Sequence, residues 1–173
     1  MDRFRGLLAG EIATPALFPA EAIRQETQFV AMRDGVRLAA HLHLPPRTPA
    51  PVIAVRSPYG RARYAEISMA LARRGYVVIC QDVRGTGDSE PDSWDFYIHE
   101  GEDSIDFVDW VARQSWCDGF IGAMGGSYDG GTQFCMAMNP KMTAVMPEVA
   151  GFGIAPSHGV RFHMFLNAYS RTV

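Results

Sequence analysis

The residues richest in chemical possibility form one short string, Gly125-Gly126-Ser127-Tyr128-Asp129-Gly130-Gly131. An apolar run, Phe120 to Gly125, precedes it, and a helical pattern over Tyr128 to Met138 follows. A serine between a strand and a helix sits where a sharp turn lifts its hydroxyl above the carboxyl edge of a sheet, the setting of a nucleophile. Crowding at such a turn demands small neighbours, which Gly125, Gly126 and Gly130 supply. The helix starts directly behind the serine, and its first N–H groups can hydrogen-bond an oxyanion. The simple Gly-x-Ser-x-Gly pattern would place glycine at 129, where this chain has Asp129. Taken alone, the string also reads as a glycine-rich strand-to-helix turn, or as a phosphate cradle in which Ser127 is merely small.

A serine hydroxyl is a weak nucleophile that needs a base, and the base needs an orienting carboxylate. Only 46 residues follow Ser127, and they hold Asp129, Glu148, His158 and His163 as candidates. Asp129 falls inside the turn and is expected to point along the new helix. A compact Ser127, Glu148, His158 triad satisfies the chain order of serine, acid, histidine. Other clusters read more simply as structure. His41 and His43 share a strand face without a third metal ligand. Glu100, Glu102 and Asp103 open a helix, where they compensate its dipole. Gly85-Thr-Gly87 is followed by Glu90 where a dinucleotide loop would need glycine, and no Gly-Lys-Ser/Thr occurs.

The elements that must position Ser127 alternate in type. Gln28 to Arg33 and Val36 to Leu44 read as strands flanking Asp34-Gly35, a pair suited to a type I′ turn. Pro51 to Arg56, Tyr76 to Cys80, Phe120 to Gly125 and Ala144 to Met146 are continuous apolar runs, as in a sheet covered on both faces. Helical patterns over Tyr64 to Arg74, Asp103 to Arg113 and Tyr128 to Met138 lie between them, the first ended by Gly75. A short helix is expected around Ala20 to Gln25. This alternation predicts an α/β fold, with a mostly parallel sheet and the opening hairpin as its antiparallel edge.

Composition narrows the function. With 16 Lys+Arg against 19 Asp+Glu the net charge is −3, and no basic stripe marks a nucleic-acid surface. Hydrophobic residues at 47% and charged residues at 20% describe an ordinary globular chain. Cys80, Cys117 and Cys135 are widely spaced and form no Cys-x-x-Cys pair. No apolar run approaches the roughly 18 residues of a membrane span, and Leu7-Leu8-Ala9 is cut short by Glu11 before it makes a signal-peptide core. The expectation is a cytoplasmic protein with no membrane and no nucleic-acid partner.

Four further strings sharpen the picture: Met32-Arg-Asp-Gly-Val-Arg-Leu38, Arg56-Ser-Pro-Tyr59-Gly-Arg61, Asp82-Val-Arg84-Gly-Thr-Gly87-Asp-Ser89 and Trp116-Cys-Asp118-Gly119. With the Ser127 turn, they resemble the N-terminal catalytic region of the cocaine esterase and X-Pro dipeptidyl-peptidase family of serine hydrolases, which includes α-amino acid ester hydrolases. The resemblance runs from about Phe29 to Pro147, and that family has its glycine one place later, as Gly130 is here. It implies an α/β-hydrolase fold, incomplete at its C-terminal end, and an acyl-serine reaction on a small ester or peptide substrate with no cofactor and no metal. Ser127 would be the nucleophile, and the backbone N–H of Tyr128 and the phenol of Tyr59 would hold the oxyanion. The resemblance gives Asp82, Arg84 and Asp88 no catalytic role, and they read as braces for loops at the sheet's edge.

The resemblance also implies that acid and base follow an inserted helical cap, so His158 and His163 fall where that cap begins rather than serving as base. The expected division is an N-terminal extension over 1–25, the first part of the hydrolase domain over 26–155, and the start of the cap over 156–173. Phe162, Phe165, Leu166 and Tyr169 form an apolar helical stripe in that last segment. The chain is thus expected to be part of a longer hydrolase, inactive alone, its acid and base supplied by a C-terminal part or a second chain; a homo-oligomer is compatible with this. The competing expectation is a non-catalytic hydrolase-like piece that serves assembly.

Overall fold

The computed structural model describes residues 14–150, so the expected cap over 156–173 and its two histidines lie outside them. A 3-10 turn over Ala20–Ala22 leads into strand β1 (Arg24–Ala31), which pairs antiparallel with β2 (Arg37–Leu44) from Arg24↔Leu44 to Ala31↔Arg37. Then follow β3 (Ala50–Ser57), α1 (Ala65–Ala72), β4 (Val77–Asp82), α2 (Glu100–Ala112), β5 (Cys117–Gly126), α3 (Tyr128–Met136) and β6 (Ala144–Glu148). The sheet order is β1-β2-β4-β3-β5-β6. β4, β3, β5 and β6 run parallel, and the hairpin joins antiparallel through β2. The α/β expectation and its antiparallel edge are what the chain forms.

The continuous apolar runs follow from this layering. Alternate residues of one strand point to opposite faces, so both must be apolar when helices cover both sides. Leu42, Val52, Ala54, Ile79 and Ile121 face Phe107, Val108 and Val111 of α2 and Met136 of α3. Val55, Val78, Cys80 and Met124 point the other way, against Ile67 of α1 and Tyr64 before it. Every residue of β4 is buried.

Three local expectations are corrected. The helix expected around Ala20 to Gln25 is only a 3-10 turn ending at Ala22, and Arg24 and Gln25 already belong to β1. The hairpin turn is not type I′: Gly35 has φ +87° while Asp34 stays at negative φ. Gly35 N–H bonds Met32 C=O at 2.9 Å and Met32 N–H bonds Val36 C=O at 2.8 Å, a three-residue loop with one left-handed glycine. The first helix also starts later than its pattern suggested, because Arg61–Tyr64 winds as a tighter 3-10 turn before α1.

The chain passes from β3 to β4 on one side of β3, then crosses to β5 on the other. The carboxyl ends of β3 and β5 therefore flank the point where strand order reverses, which is where ligands bind in open α/β sheets. Ser57-Pro-Tyr59 leaves one of those ends and Ser127 the other. No helix among the described residues is long and apolar enough to cross a membrane, and no cluster of three or more metal-ligating side chains occurs among them.

His43 of β2 is buried and its Nδ1 has no partner. Burial, aided by the nearby His41, holds its imidazole below the ordinary value. The folded chain therefore protonates His43 at lower pH than the unfolded chain, which takes up its proton near pH ~6.5. Stability present above that pH is therefore lost as pH falls below it. Urea unfolding at about pH 7.5 and about pH 5.5 should show a smaller acid-side loss in His43→Leu than in the wild type; equal losses would contradict this.

Candidate active site

One residue separates β5 from α3, and it is Ser127. Its backbone sits at φ 59°, ψ −119°, a region that costs a non-glycine residue about 1–3 kcal/mol. Neighbouring bonds fix it there. Ser127 N–H donates to Glu148 C=O of β6 at 2.9 Å, and Ser127 C=O accepts the N–H groups of Gly130 and Gly131 at 3.1 Å each. The fully buried Gln133 donates to Gly125 C=O at 3.0 Å and Asp129 C=O at 3.2 Å, and accepts Met146 N–H at 2.8 Å. Thr132 ties α3 to β3 through Arg56 C=O at 3.0 Å.

The glycine spacing has a steric reason. A Cβ on Gly130 would lie 2.6 Å from Ala150 Cβ and 3.0 Å from Glu148 C=O, so α3 passes close to the end of β6 here. On Gly125, at φ +143°, a Cβ would meet Asp129 Cβ at 2.6 Å. Position 129 faces room enough for a side chain, so glycine is needed at 130 instead.

Tyr59 arrives from the loop after β3. Its phenol donates to Ser127 Oγ at 3.3 Å, looser than an ordinary hydroxyl pair. The ring is about half exposed and the Arg63 guanidinium lies 5.4 Å from its centre. Tyr59 N–H donates to Ser57 Oγ at 3.1 Å, and Ser57 Oγ donates to Asp129 Oδ2, also at 3.1 Å. Tyr64 donates its phenol to the same oxygen. Asp129 thus turns inward beneath the loop, not along the helix as expected. Burial pushes its carboxyl up to about 6, against the lowering effect of those two hydroxyls. On the far side of the loop, Asp82 takes Arg61 N–H at 2.6 Å and pairs with the Arg61 guanidinium, which also reaches Asp88. Asp82 and Asp88 brace this loop, in line with the sequence reading.

Tyr128 opens α3, where first-turn N–H groups have no partner within the helix. Its ring is buried and stacks on Tyr97, ring centres 3.9 Å apart. Tyr97 N–H donates to the Tyr128 hydroxyl at 3.2 Å, and the Tyr97 hydroxyl donates to Tyr128 C=O at 3.1 Å. The Tyr128 hydroxyl donates in turn to Glu100 Oε1 at 2.8 Å. Glu100 Oε2 pairs with Arg56 Nη1 at 2.6 Å, and Arg56 is wholly buried, bonding Gln81 at 2.8 Å and Ser104 at 2.7 Å as well.

Glu100 and Asp103 are therefore not dipole compensation alone. Asp103 is buried against Arg84 at 2.7 Å, and Arg84 reaches Asp34 of the hairpin turn at 2.8 Å. Sequence reasoning missed this network. Its signal was Arg56 inside an apolar strand, since a buried guanidinium demands a carboxylate.

The expected site residues Ser127, Tyr59 and Tyr128 come together at the carboxyl edge of the sheet. Glu148 contributes its backbone carbonyl to the turn. His41 and His43 stand on β2, separated from β5 by β4 and β3. A hydroxyl beside a phenol, at the head of a helix, offers both a nucleophile and donors for a developing oxyanion.

This sheet order, with a strained serine between a central parallel strand and the helix after it, defines the α/β-hydrolase class. Within that class, residues 34–161 match the X-Pro dipeptidyl-peptidase (S15) family, and the chain belongs to it. It is 36% identical over 142 residues to cocaine esterase from Rhodococcus sp. (strain MB1 Bresler), an alignment covering 76% of this chain and 25% of that protein. Among solved structures, a CocE/NonD family hydrolase from Staphylococcus aureus aligns with a TM-score of 0.64 at 26% identity, covering 71% of this chain and 27% of the other. An α-amino acid ester hydrolase aligns with a TM-score of 0.67 at 24% identity, covering 82% and 28%. The chain therefore spans about a quarter of the length of the curated relatives it matches.

Gly130→Ala tests the packing around the turn. The added methyl should cost about 1–3 kcal/mol of stability, read as a fall in the urea midpoint. An unchanged midpoint would mean that α3 does not press on β6 as described.

Proposed function

We propose that the protein of which this chain is part is a serine hydrolase, cleaving an ester or amide bond of an acyl ester, aminoacyl ester or X-Pro peptide through an acyl-serine intermediate. The observation that carries this reading is the Tyr59 phenol 3.3 Å from Ser127 Oγ, with Ser127 held at φ 59° at the head of α3. Family membership and the cocaine esterase relative support the same class of chemistry.

In this mechanism Ser127 Oγ forms a bond to the substrate carbonyl carbon while a general base takes the hydroxyl proton. The carbonyl π electrons move to oxygen, and the resulting oxyanion accepts from Tyr128 N–H and the Tyr59 phenol. Collapse of the tetrahedral species breaks the bond to the leaving alcohol or amine, which receives the proton from the base. Water, deprotonated by the same base, then attacks the acyl-serine, and collapse of this second tetrahedral species breaks the acyl–Oγ bond, releasing the acid as the base returns the proton to Ser127 Oγ. No cofactor enters the scheme.

The general base and its acid lie outside the described residues in this reading. Asp129 is occupied by Ser57 and Tyr64, and the described histidines, His41, His43 and His99, all precede Ser127, against this fold's chain order of serine, acid, histidine. Those two groups come from a further part of the protein or from a second chain, and the 173-residue chain alone has no turnover. We place the protein in the cytoplasm on its three unpaired cysteines, of which Cys80 and Cys135 have thiols pushed up to about 12 by burial.

Steady-state hydrolysis of an activated ester by the full-length protein tests the assignment. Tyr59→Phe should lower kcat about 10²–10³-fold, the usual effect of losing one oxyanion donor, and Ser127→Ala should abolish turnover. Wild-type kcat in Tyr59→Phe would remove the phenol from the mechanism; turnover in Ser127→Ala would remove the serine.

A further inference from the structure

The loop carrying Tyr59 begins at Ser57, at the end of β3, and closes at Tyr64, just before α1. The hydroxyls of those two flanking residues converge on a single atom, Asp129 Oδ2, the Ser57 contact at 3.1 Å. Ser57 Oγ also receives the backbone N–H of Tyr59 at 3.1 Å. A continuous chain thus runs from the Tyr59 amide through the Ser57 hydroxyl to a carboxylate on the first turn of α3, two residues past Ser127. Asp129 is 2% exposed, Ser57 fully buried and Tyr64 7% exposed. Water is therefore a poor substitute partner for any of the three.

We propose that Asp129 is a positioning residue for the Tyr59 phenol, holding both ends of its loop at a fixed distance from the turn that carries Ser127. This rests on the oxyanion role given to Tyr59 above.

Three observations support it. The Tyr59 ring itself is about half exposed and gains little fixing from burial, so the direction of its phenol depends on the backbone that carries it. That backbone is tied to α3 through Asp129 and to β4 through Asp82, and only the Asp129 tie leads to the element that bears the nucleophile. A buried carboxylate costs stability unless its oxygens are satisfied, yet Asp129 Oδ1 has no partner. Burial also raises its carboxyl to about 6, so the fold keeps an expensive group at this position. Its one evident return is the pair of hydroxyls on Oδ2.

The role differs from oxyanion stabilisation itself, because Asp129 hydrogen-bonds Ser57 and Tyr64 rather than Ser127 Oγ or the Tyr59 phenol. Its loss should act only through Tyr59. In the full-length protein, Asp129→Ala and Ser57→Ala should each lower kcat for an activated ester about tenfold and leave KM within about twofold. Combined with Tyr59→Phe, neither should lower kcat further, since the phenol whose direction they set is already gone. Ser57→Ala removes one hydroxyl from a buried site and stands in for Asp129→Ala should the latter fail to fold. Additive losses in the double variants, or losses confined to KM, would overturn the positioning role while leaving the Tyr59 oxyanion role intact. Wild-type kcat in Tyr59→Phe alone would overturn both.

Discussion

A wholly buried guanidinium, that of Arg56, sets the terms for the rest of this fold. Arg56 sits near the end of a central strand with no exposed surface. A charge there costs several kcal/mol in desolvation unless paired and hydrogen-bonded. Glu100, Gln81 and Ser104 supply hydrogen-bond partners from α2 and β4, while Arg56 Nη2 makes no hydrogen bond and faces Asp103 at 3.8 Å. Because Glu100 opens α2, pairing it with Arg56 fixes where that helix begins. The second oxygen of Glu100 takes the Tyr128 hydroxyl, so the same pair anchors the residue next to Ser127. Removing one partner of such a buried pair typically costs about 3–5 kcal/mol, more than most single contacts.

Two buried carboxylates therefore share the task of shaping the site from below. Glu100 holds the side chain of Tyr128, and Asp129 holds the loop of Tyr59. Between them the strained backbone of Ser127 is pinned by β6 through Glu148 and by Gln133. Strain of this kind persists only where surrounding structure over-determines it. Here the bonds come from β6, from α3 itself and from β3. The result is a Ser127 hydroxyl presented at the carboxyl edge beside the Tyr59 phenol; in the function proposed above, such donors would be in place before substrate arrives, as electrostatic preorganisation requires.

Much of this was legible in the residues. Strands fully covered on both faces declare themselves as uninterrupted apolar runs, and Val77 to Cys80 and Val52 to Val55 did so. The glycines around Ser127 and the short string Ser57-Pro58-Tyr59 pointed to the residues that meet at the carboxyl edge. What stayed hidden depends on tertiary pairing. The sequence places Glu100 and Asp103 at a helix start, where dipole compensation is a sufficient local reason; only the fold brings Arg56 and Arg84 to them. Asp129 likewise looks like a misplaced residue in a glycine motif until Ser57 and Tyr64, both more than 60 positions away in the chain, close on it. Asp34 was read for its turn geometry, yet its carboxylate also takes Arg84. Side chains with two jobs show a sequence reader only the local one.

In the proposed function Ser127 is a nucleophile activated within this arrangement. Covalent trapping tests it without knowledge of the natural substrate. The full-length protein would be treated with a fluorophosphonate ester, digested, and the adduct located by tandem mass spectrometry. A single phosphonylated residue, Ser127, is expected, formed by the native protein and not after unfolding. An adduct on a different residue, or none on a folded preparation that still hydrolyses esters, would contradict it.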